Sequence, residues 1–281
     1  MIVVTGATGN VGRTLVPLLA EAGEEVVAVS RQSRPAGFPA GVRHARADLG
    51  EAASMRPVLE GADALFVLLG GELNGRGESP QALLDVVEQA AVKRVVLLSS
   101  QINATRPDAP SHARLREFEA AVRASGVDFT VLRPAGFASN AFAWAESVRA
   151  TRTVLAPFGD VALPVVDPAD IAEVAAAALR GGGHAGRTYE LTGPEAISPR
   201  GQAAALSAAL GEPVAFVELS EAQAAEHLAR FMPQELVGGT LDILGRPLPA
   251  EQATARDIEQ VLGRPAQSFG DWAARHLAAF R

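Results

Sequence analysis

The stretch Thr5-Gly6-Ala7-Thr8-Gly9-Asn10-Val11-Gly12 joins an apolar run at residues 2–5 to an amphipathic pattern at residues 11–22. Three glycines at this spacing let the backbone turn tightly, approach a diphosphate and pack the following helix on the preceding strand. The start of that helix offers free N–H groups and the positive end of a dipole, which suits an anion. Strand, glycine-rich turn and helix together predict a dinucleotide-binding βαβ unit, with Gly6, Thr8, Gly9, Asn10, Val11 and Gly12 along the phosphates.

The same alternation continues outward. Short apolar runs at residues 2–5, 26–29, 42–46, 64–69, 95–99 and 129–132 read as strands buried on both faces. Helical patterns at 11–22, 52–60, 82–91 and 114–124 separate them, so the chain is expected to form a parallel sheet with right-handed crossovers. Ser79-Pro80 predicts a helix start, and Pro17 interrupts one backbone bond of the first helix. After the second strand comes Ser30-Arg31-Gln32-Ser33-Arg34, with no carboxylate to hold a ribose hydroxyl. Guanidinium groups of Arg31 and Arg34 suit a 2′-phosphate instead, which favours NADP over NAD. Asp48-Leu49, after the third strand, is a candidate adenine contact; the other reading has Asp48 capping the helix near Ala52. Residues 70–77 form a glycine-rich loop suited to a lid.

Beyond residue 137 the pattern changes. Helical segments are expected at 138–149, 169–179, 202–210, 222–230 and 269–280, with strands at 188–191 and 214–218. The expected fold is α/β, a Rossmann-type doubly wound parallel sheet with a smaller α+β C-terminal lobe. Residues 1–136 form the nucleotide-binding domain and 137–281 mainly the substrate lobe, with later segments returning to the sheet.

The chain has 281 residues, 48% of them apolar and 20% charged, which suits a globular core. A net charge of −7 argues against a nucleic-acid partner. The absence of cysteine removes disulfides, thiolate metal sites and a cysteine nucleophile. The histidines show no paired metal-ligand spacing, so no metal is expected. No leader pattern and no membrane-length apolar run are visible, and a cytoplasmic protein with a small-molecule substrate is expected, with a homodimer possible. Lys93 is the only lysine among 25 basic residues.

Gly6-x-x-Gly9-x-x-Gly12, Leu97-Leu98-Ser99-Ser100 and the run from Ala124 through Asp128-Phe129-Thr130 to Leu132-Arg133-Pro134 resemble the NmrA-like group, an atypical branch of the short-chain dehydrogenase/reductases. Asp167-Pro168-Ala169-Asp170, Tyr189-Glu190-Leu191-Thr192-Gly193-Pro194 and Gly263-Arg264-Pro265 with Trp272 carry the likeness over nearly the whole chain. The resemblance implies NADP(H) held by the glycine-rich turn and Arg31, with Leu68 and Gly70 beside the cofactor's middle. It also implies Ser99, Ser100 and Pro134 near the nicotinamide, and Gly136 and Phe137 over the ring. Relatives of this kind include quinone and triphenylmethane-dye reductases, and regulators that bind the dinucleotide without turnover.

One departure matters for the chemistry. Standard members protonate a carbonyl through Tyr-x-x-x-Lys, whereas this chain has Ser111-His112-Ala113-Arg114-Leu115-Arg116 there, its only tyrosine is Tyr189, and Lys93 precedes the fifth strand. Candidate catalytic residues are therefore His112 as proton donor, Arg116 one turn along as oxyanion partner, and Ser99 and Ser100. Ser111 reads as an N-cap. A quinone, or a ketone beside a phenol, would need no protein acid. Gly136, Phe137, Asn140 and Trp144 are candidate substrate contacts, and further aromatics (Phe142, Phe158, Phe231) are pocket lining or plain core. Asp167 and Asp170 read as a helix cap and first-turn acid. The expected activity is NADPH-dependent reduction of a carbonyl or quinone of a small apolar, aromatic or polyketide-like substrate. The alternatives are a non-catalytic NADP(H) sensor and a cofactor-dependent cyclase or isomerase.

Overall fold

The computed structural model describes residues 1–32, 37–70, 77–230 and 232–281. In chain order these form β1 (Ile2–Val4), α1 (Gly12–Glu21), β2 (Val26–Ser30), β3 (Arg43–Arg46), α2 (Ala52–Leu59), β4 (Ala64–Leu68), α3 (Pro80–Gln89) and β5 (Arg94–Leu98). There follow α4 (Ile102–Thr105), α5 (Ala113–Ala124), β6 (Asp128–Pro134), α6 (Ala145–Thr151), β7 (Thr153–Ala156), α7 (Pro168–Arg180) and β8 (Arg187–Leu191). The chain ends with α8 (Pro199–Leu210), β9 (Ala215–Glu218), α9 (Glu221–Leu228), α10 (Gln234–Gly245), α11 (Pro249–Gln252), α12 (Asp257–Leu262) and α13 (Phe269–Arg275).

Seven strands form one sheet in the order β3-β2-β1-β4-β5-β6-β8, every pair parallel. The order reverses between β1 and β4, so the carboxyl ends of those strands open the crevice where such sheets bind ligands. The central strands are buried on both faces. One face packs Val4, Phe66 and Val96 under α1 and α7; the other packs Val3, Leu65 and Leu97 under α2, α3 and α5. The doubly wound expectation is met; β8 is the last strand of this sheet and α7 packs on its face.

Helix starts follow their local chemistry. Ser79 accepts from the Ala82 amide at 3.3 Å ahead of Pro80. Asp167 accepts from the Ala169 amide at 2.8 Å ahead of Pro168, as the capping reading expects. Asp170 is fully buried, pairs with Arg264 at 2.8 Å and accepts from the Gln267 amide at 2.7 Å; Arg275 pairs with Asp167. These bonds tie the C-terminal segment to the sheet domain and leave both carboxylates structural.

The smaller lobe surrounds a second parallel pair, β7 with β9, and a core of Val148, Val154, Leu206, Phe269, Trp272 and Phe280. Two expectations change in detail. Residues 138–149 split into a 3-10 stretch, Ala138–Trp144, and α6, while the last helix ends at Arg275 before a 3-10 turn, Leu277–Ala279. No helix among the described residues is long and apolar enough to cross a membrane.

Candidate active site

The glycine-rich turn leaves β1 at the crevice. Thr5 Oγ1 donates to the Phe66 carbonyl at 2.9 Å and accepts from the Leu68 amide at 3.0 Å, fixing the turn to β4. Gly6 adopts φ +62, where a side chain would be strained, and a Cβ there would lie 3.0 Å from Leu68 Cδ2. At Gly12 a Cβ would lie 2.2 Å from the Gly6 carbonyl oxygen and 2.6 Å from Ala7 Cα, so only glycine lets α1 start there. Val11 gives α1 no side-chain cap, and the amides of Thr8, Asn10 and Val11 have no acceptor among the described residues. The bare backbone and unmet donors fit a diphosphate. Asn10 has a further bond: its amide nitrogen donates to Ser139 Oγ at 3.0 Å, linking the turn to the segment after β6.

At the sheet's β2–β3 side Arg31 is exposed, and its carbonyl accepts from Arg46 Nε at 3.2 Å. Arg34 and residues 71–76 of the glycine-rich loop lie outside the described residues, as does Phe231. Gly70 is exposed just beyond β4. Asp48 accepts from the Gly50 amide at 2.9 Å in a turn before α2, and Leu49 packs on the core. Asp48 does not cap α2: the Ala52 amide is met by Glu78, at 2.9 Å, a partner 26 residues on.

Ser99, Ser100, Pro134, Gly136 and Phe137 all follow or close the carboxyl ends of β5 and β6, beside the crevice. The two serine hydroxyls are used differently. Ser100 Oγ accepts from the Ile102 amide at 3.2 Å. Ser99 is buried, and its hydroxyl donates to Glu119 Oε1 at 2.5 Å. Glu119 in turn receives Arg133 Nε at 3.0 Å, Arg133 Nη2 at 2.7 Å and Asn103 Nδ2 at 3.1 Å. Burial alone would raise the Glu119 pKa; the bonds from Arg133, Ser99 and Asn103 outweigh it and hold the carboxyl below its ordinary value.

Glu119, Asn103 and Arg133 were not singled out by the sequence reading, although a signal existed. Leu115, Phe118, Glu119 and Val122 share one helical stripe, so Glu119 is an acid on an apolar face. Arg133 is likewise a charge next to the buried Val131, Leu132 and Pro134 of β6.

His112 is half-buried at the start of α5, with Nδ1 2.9 Å from Ser111 Oγ. Ser111 is not the N-cap; it sits in a 3-10 turn, Pro110–His112, and His112 holds the cap position without a side-chain bond. Burial, then the charge of Arg116, lowers the His112 pKa below its ordinary value, which favours the neutral imidazole. Arg116 Nη1 is buried without a partner among the described residues. A cavity of about 460 Å³ opens between Ser111, Pro110, Arg106 and the α10 residues Leu236, Gly239 and Ile243. Phe137 packs on the sheet core, Asn140 is exposed and its amide bonds the Phe137 carbonyl. Trp144 is not gathered with them: it lines a separate cavity of about 440 Å³ against α9, because the 3-10 stretch turns it away from a helical register. Phe142 is core, packed edge-on to Trp272.

Residues 6–181, from the glycine-rich turn to the end of α7, match the NAD(P)H-binding family. The chain belongs to that family. Its fold is shared with the triphenylmethane reductase of Citrobacter sp., with a TM-score of 0.79 at 21% identity over 98% of this chain and 99% of that one, and with an NmrA mutant, with a TM-score of 0.77 at 19% identity over 99% and 95%. This family member is 38% identical over 283 residues to the (4-alkanoyl-5-oxo-2,5-dihydrofuran-3-yl)methyl phosphate reductase of Streptomyces griseus, covering 100% of this chain and 99% of the relative. It is 34% identical over 289 residues to the NAD(P)H azoreductase of Xenophilus azovorans, covering 100% and 99%. The Escherichia coli NADPH-dependent quinone oxidoreductase complexed with NADPH superposes with a TM-score of 0.81 at 25% identity, over 99% of this chain and 100% of that one. The protein is an NAD(P)H-dependent oxidoreductase that binds NADP(H).

Proposed function

We propose that the protein delivers the hydride of NADPH to a small, largely apolar conjugated acceptor, a quinone or an unsaturated carbonyl compound, whose reduced anion is delocalised. The observation that carries this is the engagement of Ser99 and His112, the candidate acids among the described residues. The Ser99 proton is committed to Glu119, and burial lowers the His112 pKa, which disfavours its acidic form. An isolated ketone becomes a strongly basic alkoxide and needs a proton as the hydride arrives; a delocalised anion can wait for water. NADPH bound at the glycine-rich turn supplies the hydride. The chain's own residues hold the diphosphate (Gly6, Thr8, Gly9, Asn10, Val11 and Gly12), the 2′-phosphate (Arg31), and developing negative charge through Arg116, whose Nη1 has no partner among the described residues. The relatives support the same acceptor class. One is named for quinones and one for azo compounds, and the Streptomyces substrate's name describes a ring alkene conjugated to two carbonyls.

The test follows NADPH absorbance with the purified protein against a quinone, an acylated unsaturated lactone and a saturated ketone of similar size. Turnover of the first two and little of the third is expected. A ketone reduced as fast as the quinone would refute the reading.

Two further outcomes follow. Arg31→Ala should raise KM for NADPH by about tenfold or more, the worth of a charge-assisted bond, while KM for NADH stays unchanged; steady-state kinetics with both cofactors reads this directly. The pH profile of kcat/KM should be level from about pH 7 upward and bend only below 6.5, where His112 gains its proton. His112→Gln should remove that bend and cost less than the ~100-fold typical of losing a general acid.

A further inference from the structure

The carbonyls that end β2 are each held by a different neighbour. The Val29 carbonyl accepts from the Ala7 amide of the glycine-rich turn at 3.3 Å, and the Ser30 carbonyl accepts from the Ala47 amide at 3.2 Å. The Arg31 carbonyl accepts from Arg46 Nε at 3.2 Å. The turn, the end of β2 and the end of β3 therefore meet at the carboxyl edge of the sheet. Ser30 and Arg46 are register partners there. Two residues earlier on β3, His44 is packed: its Nε2 lies 3.0 Å from Ser30 Oγ and its ring stacks on Phe38. Arg46 lies past that packed layer and is exposed at the open end of the strand.

The bond to the Arg31 carbonyl uses Nε alone, and neither Nη atom of Arg46 has an acceptor among the described residues. The acid next along the chain, Asp48, is turned onto the Gly50 amide at 2.9 Å. A guanidinium pinned through Nε, with its outer nitrogens open to solvent, is preorganised for an oxyanion. We propose that Arg46 is a second specificity-determining cation for the coenzyme, its Nη atoms taking the 2′-phosphate together with Arg31. A phosphate monoester carries about two negative charges at pH 7 and several acceptor oxygens, more than one guanidinium meets. NAD+ has only a hydroxyl at that place, so Arg46 adds affinity for NADP+ alone. The inference rests on the reading that puts the 2′-phosphate beside residue 31, and the test separates the two arginines.

Calorimetric titration of the whole protein with NADP+ and NAD+ tests it, in the wild type, Arg46→Gln, Arg46→Lys, Arg31→Ala and the Arg31→Ala/Arg46→Gln double variant. Arg46→Gln should weaken NADP+ about tenfold, the loss of one charge-assisted contact, and leave NAD+ within about twofold of the wild type. Arg46→Lys keeps the charge without the planar fork and should fall between them. The double variant should bind the two coenzymes about equally. Because residue 46 is exposed, ligand-free Arg46→Gln should melt with the wild type. An unchanged ratio of NADP+ to NAD+ affinity in Arg46→Gln would overturn the assignment. So would an equal loss for both coenzymes, which marks a change in the shape of the site. A ratio that falls in Arg46→Gln but not in Arg31→Ala would refute the role of Arg31 and uphold that of Arg46.

Discussion

Gly12→Ala is expected to lose NADPH binding by at least ~100-fold in Kd and to melt well below the wild type. The added Cβ would meet the Gly6 carbonyl oxygen at 2.2 Å and Ala7 Cα at 2.6 Å, and both are backbone atoms that move only if the turn itself opens. Overpacking against side chains costs about 1–3 kcal/mol, and backbone clashes exceed that. Opening the turn also disperses the amides of Thr8, Asn10 and Val11, so binding and stability fall together. A series gives the contrast. Gly9→Ala meets only the Gly6 carbonyl oxygen at 3.2 Å and should be milder, whereas Gly70 has open space around it and Gly70→Ala should leave the melting temperature unchanged. Calorimetry and thermal melts on the three variants check the ranking; NADPH affinity within threefold of wild type in Gly12→Ala would show that the turn does not hold the diphosphate.

Glu119→Ala is the second change with a large effect. The Arg133 guanidinium would keep only its 3.4 Å contact with Glu190, while Ser99 and Asn103 would lose their shared acceptor. Removing one partner of a buried ion pair costs about 3–5 kcal/mol. At about 2–4 °C per kcal/mol for a chain near this size, the melting temperature should drop by roughly 6–20 °C. The pair also sets a pH dependence. Folding holds the Glu119 pKa below its ordinary 4.5, so its stabilisation is complete above that pH and is lost as the pH falls through the folded value. Melts of the wild type should therefore decline below pH 4.5 more steeply than those of Glu119→Ala, and equal slopes would count against a native-state ion pair.

The sheet was legible because its central strands are buried on both faces and separated by capped helices. Residues 26–29, 64–69 and 95–99 carry apolar runs with turn residues between them, and Ser79-Pro80 and Asp167-Pro168 announce their helices. β3, Arg-His-Ala-Arg, is an edge strand, which explains its weak pattern. β7 is four residues long and half of it faces outward, too little for a periodic signal. α10 was hidden by Gly238 and Gly239, which lower helix propensity and hold their helix through contacts elsewhere in the fold. The glycine-rich turn is local, eight consecutive residues, and its strand-turn-helix geometry could be read directly. The Glu119 network joins residues 16 to 20 apart with Arg133 on another strand, and only the fold brings them together. The caps of α2 and α5 misled for a related reason: Glu78 reaches α2 from just ahead of α3, beyond β4, and Ser111 turns to its neighbouring imidazole.

Hydride transfer itself is tested most directly with NADPH deuterated at C4 of the nicotinamide and an acylated unsaturated lactone, in a single turnover read by mass spectrometry of the product. One deuterium retained on the reduced ring carbon, with the second hydrogen drawn from solvent, is the expected result. Intact bound NADPH, or a product formed without the label, would contradict it.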